Sequence, residues 1–219
     1  MNPAASIDHT LLKSDATASE IASLCEEAVE YGFASVCVPP RFVRQAADLL
    51  YGSEVKTGTV VGFPLGYELM DIKAEQTAQA IQAGAEEVDM VIPLGAAREQ
   101  DFEDVTRDIR AVVARAEGRL VKVIIECCLF NLQTKNCLVD AVVAGGAHYV
   151  KTSTGFAATG ATLEDVRLLT QAAAGRIKVK AAGGIRDWLF CRDLLQAGAT
   201  RIGTSAGVAL MAEWRQDAE

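Results

Sequence analysis

The 219-residue chain lacks any apolar run close to the roughly 20 residues that a membrane-spanning helix needs. Its first residues show neither the basic stretch nor the apolar stretch of a secretion signal. No proline-, glycine- or serine-rich linker and no block of like charge divides the sequence. Half of the residues are apolar, which is typical of a folded globular protein. We therefore expect a single domain over residues 1–219, in the cytoplasm and not on a membrane.

Zinc-type cysteine spacing and an excess of positive charge are also missing. The six cysteines fit no zinc-ligand pattern, and two of them are adjacent, so in a reducing cytoplasm we expect six free thiols. The net charge of −8 argues against nucleic-acid binding, because phosphate backbones require clustered Lys and Arg. A small phosphorylated ligand remains compatible, because a few backbone amides and one Lys can bind it.

The chain does contain a regular alternation of helical and β-prone segments. Apolar residues within 21–29 recur at helical spacing, Gly32 provides a helix end, and the short apolar segment 33–38 follows. The same order predicts strands at 7–12, 33–38, 56–63, 88–92, 120–126, 148–151, 177–181 and 201–204. Besides the first helix, it predicts helices near 41–50, 71–83, 98–116, 132–144, 162–173, 186–197 and 205–213.

Eight strands alternating with eight helices predict an α/β fold. Strands separated by helical segments indicate right-handed crossovers and a parallel sheet. Eight such units in 219 residues suit a closed (β/α)₈ TIM barrel. The alternative is an open doubly wound sheet. It normally has fewer strands and a glycine-rich turn after the first one, which this chain lacks.

The eight lysines can be sorted by their place on the predicted strands, because barrel enzymes carry their chemistry at the carboxyl ends. Lys151 closes the sixth strand and Lys180 lies near the end of the seventh. Burial and mutual repulsion should lower one pKa towards neutrality, as an amine nucleophile requires. The alternative is that one of them binds a phosphate. We interpret Lys13, Lys73 and Lys135 as surface charges, and Lys56, Lys122 and Lys178 as structural.

Three acidic residues lie on or at the end of predicted strands. Asp89 interrupts an apolar strand, which predicts a counter-ion for the lysine pair that could also move a proton through a water. Glu126 is a weaker candidate for this duty, or a salt-bridge partner. Asp8 is predicted to point inward near the active site, although with His9 it could equally anchor the first loop.

Glycines follow the predicted strands six, seven and eight, at residues 154–155, 183–184 and 203–207. Barrel enzymes often bind phosphate in the loops after strands seven and eight, on backbone amides and a helix N-terminus. The spacing therefore predicts a phosphate site at this end of the barrel.

Motifs along nearly the whole chain resemble the deoxyribose-phosphate aldolase family. The most specific is Lys-Thr-Ser-Thr-Gly at 151–155 with Lys-x-x-Gly-Gly at 180–184. The resemblance implies a TIM barrel and the reversible cleavage of 2-deoxy-D-ribose 5-phosphate to acetaldehyde and D-glyceraldehyde 3-phosphate, in deoxyribose catabolism. Further matching segments lie at 7–13, 36–38, 60–66, 87–92 and 201–205.

The resemblance also assigns residues. It implies that Lys151 forms the Schiff base, that Lys180 is the second lysine and that Asp89 is the acid/base partner. Cys37 matches a cysteine near the active site, or is simply a small apolar strand residue. No metal or cofactor is implied, and a homodimer is expected. The positions matched to the phosphate are Gly155, Gly183, Gly184, Gly203 and Ser205.

Some positions depart from the family pattern, namely Pro39, Pro93, the bulky turn 66–68 and the loop 157–160. They leave a second hypothesis open, that of a related Schiff-base aldolase acting on another phosphorylated sugar. A third is a non-catalytic sugar-phosphate sensor, which would not need two lysines and a carboxylate inside the barrel.

Overall fold

The structure is a computed structural model that describes residues 2–217. Eight parallel strands form a closed barrel in chain order, and the last strand pairs with the first. This confirms the predicted TIM barrel and excludes the open doubly wound sheet. The strands are β1 (Ile7–Thr10), β2 (Ser35–Val38), β3 (Lys56–Val61), β4 (Glu87–Val91), β5 (Leu120–Ile124), β6 (Tyr149–Lys151), β7 (Lys178–Ala182) and β8 (Arg201–Thr204).

Helices follow the strands and surround the barrel. None of those within residues 2–217 is long and apolar enough to cross a membrane. The α-helices are α1 (Ala18–Tyr31), α2 (Val43–Leu49), α3 (Met70–Gln82), α4 (Leu94–Arg98), α5 (Phe102–Arg115), α6 (Leu132–Ala144), α7 (Leu163–Ala173), α8 (Trp188–Gln196) and α9 (Gly207–Asp217). Short 3-10 helices lie at Ala4–Ser6, Pro40–Phe42 and Cys127–Leu129.

The helix predicted near 98–116 is confirmed as α5 (Phe102–Arg115), and a short helix that was not predicted, α4, lies just before it and ends at Arg98. Gln100 has a left-handed φ of 63°, which ends the first helical segment. Asp101 then caps α5, its side chain accepting a hydrogen bond from the backbone N–H of Asp104. The predicted start at residue 98 therefore falls on the last residue of α4, and α5 begins only at Phe102.

Local sequence explains how a helix leads into a strand. In α1, Thr17 and Glu20 form a capping box, each side chain accepting from the other's backbone N–H. Gly32 ends the helix with a left-handed φ of 69°, and the Phe33 N–H then donates to the Ala28 carbonyl. The chain is thereby turned directly into β2.

Strand alternation separates an apolar layer from a charged interior. Outward residues such as Val88, Val150 and Ile202 pack in the core between strands and helices. Their inward neighbours are polar, and the strand register places them side by side. Asp89 is the register partner of Lys122, and Lys151 is the register partner of Lys180. The register therefore concentrates charge inside the barrel.

Two lysines interpreted as surface charges are not on the surface. Lys73 is fully buried, and its Nζ donates to Asp108 at 2.8 Å and to the Val91 carbonyl at 3.0 Å. Lys135 is mostly buried and lies 2.5 Å from Asp165. Both interpretations are wrong. The carboxylate that pairs with each lysine is 30 or more residues away in sequence, so the local pattern did not indicate it.

Candidate active site

Two lysines and one carboxylate meet inside the barrel near the carboxyl ends of the strands. Lys151 is the last residue of β6, Lys180 lies on β7, and both are buried. Asp89 Oδ2 lies 2.7 Å from Lys151 Nζ and 2.6 Å from Lys180 Nζ. The structure thus brings the three residues predicted as catalytic into direct contact.

Asp8 belongs to the same cluster. Its Oδ2 lies 2.5 Å from Lys180 Nζ and its Oδ1 lies 2.6 Å from Arg201 Nε. His9 points to the opposite side of the strand, where its Nε2 lies 2.7 Å from Glu27. Of the two alternatives for Asp8, the structure therefore shows the inward-pointing one.

Three further charged residues complete the cluster, and none of them was singled out for the site from the sequence. Lys122 Nζ lies 3.0 Å from Asp89 Oδ1 and 2.6 Å from Glu87 Oε2. Arg201 Nη2 also lies 2.6 Å from Glu87 Oε2. The sequence did carry a signal for Glu87. It stands two residues before Asp89 on the same strand, and side chains two residues apart on a strand point to the same face.

We call these seven side chains the buried charge network. All are buried except Arg201, whose side chain is 11% exposed. With every group ionised the network would carry one excess positive charge, whereas a single neutral amine balances it. The network consists of the bases Lys122, Lys151, Lys180 and Arg201 and the acids Asp8, Glu87 and Asp89.

The surroundings favour Lys151 as that neutral amine. Burial lowers the pKa of Lys151, and the charge of Lys180 lowers it further, against the opposing effect of Asp89. Burial acts on Lys180 as well, but Asp8 and Asp89 outweigh it and raise the pKa of Lys180. The predicted depression is thus on Lys151, with burial as its main cause and repulsion by Lys180 as a secondary one.

Asp89 stays ionised in this setting. Burial acts to raise its pKa, but Lys122, Lys151 and Lys180 together hold the pKa well below the ordinary value of an aspartate. The carboxylate can therefore accept hydrogen bonds from both lysines on Oδ2. It is placed to take up a proton from the amine, directly or through a water.

Cys37 lies on β2 next to this cluster. It is buried, and burial followed by the charge of Asp89 raises the pKa of its thiol to about 11. The thiol is consequently protonated at neutral pH, so it is a poor nucleophile until it loses its proton.

A cavity of about 230 Å³ opens above Lys151. Lys13 and Arg186 also line it, and neither makes a salt bridge within residues 2–217. Lys13, interpreted as a surface charge, is exposed but lies at this opening. All five residues predicted for the phosphate site line the cavity: Gly155, Gly183, Gly184, Gly203 and Ser205. No group of three or more His, Cys, Asp or Glu side chains within 2–217 is arranged to hold a metal ion.

Comparison with known proteins decides the family. The model of the DeoC/LacD family of aldolases matches residues 4–213. The chain belongs to this family. The deoxyribose-phosphate aldolase of Syntrophotalea carbinolica is 56% identical over 218 residues, covering 100% of this chain and 99% of that one. The deoxyribose-phosphate aldolase of a Geobacillus species is 54% identical over 211 residues, covering 96% and 95%.

A solved structure agrees with the family assignment. The deoxyribose phosphate aldolase from Aeropyrum pernix, described as tetrameric, superposes with a TM-score of 0.91 at 35% identity, covering 97% of this chain and 90% of that one. The resemblance seen in the motifs is therefore confirmed, and with it the assignment of the chain as an aldolase.

In this aldolase the glycines of the cavity wall permit close backbone contacts. Gly183 has a φ of 94°, and a Cβ there would lie 2.9 Å from Gly160 Cα. A Cβ on Gly160 would lie 2.1 Å from the Gly183 carbonyl oxygen, to which the Ala161 N–H donates. A Cβ on Gly203 would lie 3.1 Å from Lys180 Cε. Gly160 was missed by the sequence analysis, and Gly203 also leaves space for the second lysine.

Glu126 lies just after β5, but its contacts differ from a predicted salt bridge. It is buried with a left-handed φ of 52°, and it accepts hydrogen bonds from the Thr154 Oγ1 at 2.5 Å and the Thr154 N–H at 3.3 Å. It makes no salt bridge within the described part of the chain. The prediction that it serves as a salt-bridge partner is wrong. It instead fixes the loop that follows Lys151.

The departures from the family pattern lie around the network and not within it. Pro39 precedes the 3-10 helix Pro40–Phe42 and Pro93 precedes α4, so each begins a short helix. Tyr67, in the bulky turn, is 75% exposed. Their positions leave the contacts of Lys151 and Asp89 intact.

Proposed function

We propose that this aldolase reversibly cleaves 2-deoxy-D-ribose 5-phosphate to acetaldehyde and D-glyceraldehyde 3-phosphate, with Lys151 as the Schiff-base nucleophile. The observation that carries the proposal is a buried lysine of lowered pKa on the wall of a cavity that also exposes glycine amides. The relatives that share about half of the sequence are deoxyribose-phosphate aldolases.

The covalent cycle begins with the neutral Lys151 amine. It attacks the aldehyde carbon of the open-chain sugar, and loss of water leaves an iminium that withdraws electrons. The 3-hydroxyl then loses its proton, the C2–C3 bond breaks, and glyceraldehyde 3-phosphate departs. The enamine left on the lysine takes a proton at carbon, and water releases acetaldehyde and restores the amine.

Neighbouring groups handle protons and position the substrate. Asp89 Oδ2, 2.7 Å from Lys151 Nζ, is the base nearest to the reacting nitrogen, and a water extends its reach to the 3-hydroxyl. Lys180 contacts the same oxygen and orients it. The amides after β6, β7 and β8 and the cations Lys13 and Arg186 bind the phosphate, which supplies binding energy far from the reacting bond.

Borohydride trapping tests the proposal. Reduction in the presence of acetaldehyde, followed by peptide mass mapping, should place an ethyl adduct on Lys151, and Lys151→Ala should abolish both the adduct and turnover. The fold of this variant should persist, because Asp89 retains contacts with Lys122 and Lys180. An adduct elsewhere, or an active Lys151→Ala variant, contradicts the assignment. Faster turnover of another sugar phosphate would instead support the related-aldolase alternative.

We also propose that the enzyme is a homodimer that works in the cytoplasm. The six cysteines are free, which suits a reducing compartment. The segment 65–72 exposes five large apolar side chains, which suits a protein interface. Light scattering of the wild type and of Leu69→Glu tests the interface, with a dimer expected only for the former. The exposed residues are Leu65, Tyr67, Leu69, Met70 and Ile72.

A further inference from the structure

We propose that Lys122 is a positioning residue that keeps Lys151 in its neutral, nucleophilic form by supplying a permanent positive charge to the buried charge network. The inference rests on the proposed function, because it concerns the same lysine nucleophile. Lys122 does not line the cavity above Lys151, so it acts through Asp89 and not on the substrate.

The two oxygens of the Asp89 carboxylate contact different lysines. Lys151 and Lys180 share Oδ2, while Lys122 contacts Oδ1 at 3.0 Å. Lys122 is 1% exposed, and its Nζ also lies 2.6 Å from Glu87 and 3.5 Å from Asp8. Carboxylates from two strands therefore surround this ammonium, and it has no access to water.

The charges of the network explain why Lys122 matters to Lys151. Arg201 is protonated at every accessible pH, and Asp8, Asp89 and Glu87 outweigh burial and raise the pKa of Lys122 far above its ordinary value. With Lys180, these bases supply three positive charges against three carboxylates. A proton on Lys151 would add an uncompensated charge among buried side chains, which is costly. Without Lys122 the carboxylates would outnumber the cations, and that proton would restore the balance.

Among the three lysines of the network, only Lys151 has a pKa below the ordinary value of a lysine. The groups that face it are Asp89 from β4, Lys180 from β7 and the Cys37 thiol from β2, which burial keeps protonated. His9 faces outward to Glu27 and is not part of the cluster. The groups that face Lys122 are Asp8 from β1, Glu87 and Asp89 from β4, Lys180 from β7 and Arg201 from β8.

The first test is the pH dependence of kcat/KM, whose acid limb reports a base of the free enzyme. In Lys122→Met we expect this limb to move up by about one to two pH units, because Asp89 loses the cation on its Oδ1 side and stabilises a proton on Lys151 more strongly. Activity at neutral pH should fall by roughly tenfold to a hundredfold and recover at higher pH. A limb that coincides with that of the wild type overturns the inference.

The second test distinguishes charge balance from support of the fold. Lys122→Met/Glu87→Gln leaves three bases and two acids, so one amine must again be neutral. Its acid limb should return towards that of the wild type, although it loses more contacts than the single variant. If Lys122 only supported the fold, the acid limb of the double variant would lie no closer to that of the wild type than the limb of Lys122→Met.

Lys73→Met is the matched control. Lys73 is also fully buried and paired with one carboxylate, Asp108, but it lies outside the network. Its loss should lower stability and leave the acid limb in place. A limb that moves as far as that of Lys122→Met overturns the inference, because burial of any lysine would then suffice.

Two outcomes separate this inference from the proposed function. If the wild type forms no borohydride adduct, the nucleophile is wrong and both fall. If the wild type forms the adduct and the acid limb of Lys122→Met is unmoved, only the role of Lys122 is contradicted.

If Lys122→Met does not fold, Glu87→Gln tests the inference instead, because the loss of one acid should move the acid limb to lower pH. An unmoved limb in that variant overturns the inference.

Discussion

At the scale of single residues, the chemistry depends on one amine being different from its neighbours. Lys151 and Lys180 are register partners on adjacent strands and share one carboxylate oxygen. They differ because Lys180 also contacts Asp8, whereas Lys151 has Asp89 alone. One additional carboxylate is enough to send the pKa values of two neighbouring lysines in opposite directions.

Lys13 should contribute to phosphate recognition although it is exposed. Replacing it with Ala should raise KM for the phosphorylated sugar by roughly threefold to tenfold and leave kcat nearly unchanged, because an exposed charge contributes modestly. Cleavage of unphosphorylated deoxyribose should be unaffected, and steady-state kinetics with both sugars measures the difference.

Lys56→Ala is the control for this prediction. Lys56 is partly exposed and begins β3, at the amino end of the barrel, where it pairs with Glu86 at 3.3 Å. Its kinetics should match those of the wild type. Equal losses with both sugars in Lys13→Ala would show that the residue does not recognise phosphate.

At the scale of elements, the loop after β6 connects the nucleophile to the cavity wall. Thr154 Oγ1 donates to Glu126 and accepts from the Phe156 N–H, so one hydroxyl determines the course of the chain into Gly155. Glu126 adopts a left-handed φ that a non-glycine residue rarely takes, at the end of the neighbouring β5. The two loops therefore depend on each other.

Thr154→Val should weaken this connection. It removes the hydroxyl while preserving the shape of the side chain, leaving the buried Glu126 with fewer donors, at a cost of about 1–3 kcal/mol in the free energy of unfolding. Urea denaturation measures the loss, and kcat/KM should fall with it. Thr154→Ser retains the hydroxyl and should keep most of the stability. Equal behaviour of the two variants would count against the role of the hydrogen bond.

At the scale of the whole molecule, the distribution of charge differs between the surface and the barrel interior. The chain carries a net charge of −8, yet the bases of the buried charge network outnumber its acids by four to three. Lys73 and Asp108 form a separate buried pair between α3 and α5. The net charge of the whole chain therefore says little about the site.

The network should make the fold sensitive to acid. Lys122, Lys180 and Arg201 outweigh burial and hold the pKa of Asp8 well below its ordinary value. A carboxylate with a lowered folded-state pKa contributes stability above its unfolded pKa, and this stability is lost as the pH falls from about 5. Burial raises the pKa of Asp108, which acts in the opposite sense.

Urea unfolding between pH 7 and pH 3 measures this sensitivity. The free energy of unfolding should fall with pH in the wild type, and Asp8→Asn should be less stable at pH 7 but lose less on acidification. Asp140→Asn, at an exposed salt bridge with Arg176, is the control and should follow the wild type. An acid response that Asp8→Asn leaves unchanged would refute the assignment.

The local pattern of the sequence was sufficient for the strands and for the main catalytic candidates. Alternation with period two and the glycines at helix ends are properties of short segments, so they located all eight strands and placed Lys151 and Lys180 near strand ends. The polar interruption at Asp89 was visible for the same reason. The sequence motifs indicated the activity, and the match to the family confirmed it.

Only the tertiary structure decided which charges meet. The carboxylate partners of Lys122, Lys73 and Arg201 lie 33 or more residues away in sequence. For Lys122 and Arg201, contact depends on the register of strands that close into a barrel. Register is a property of the whole sheet, and a charge on a strand looks the same in sequence whether it faces a carboxylate or solvent. The sequence by itself thus determined the barrel and its candidate nucleophile. The closure of the barrel determined the balance of charges that leaves this nucleophile neutral.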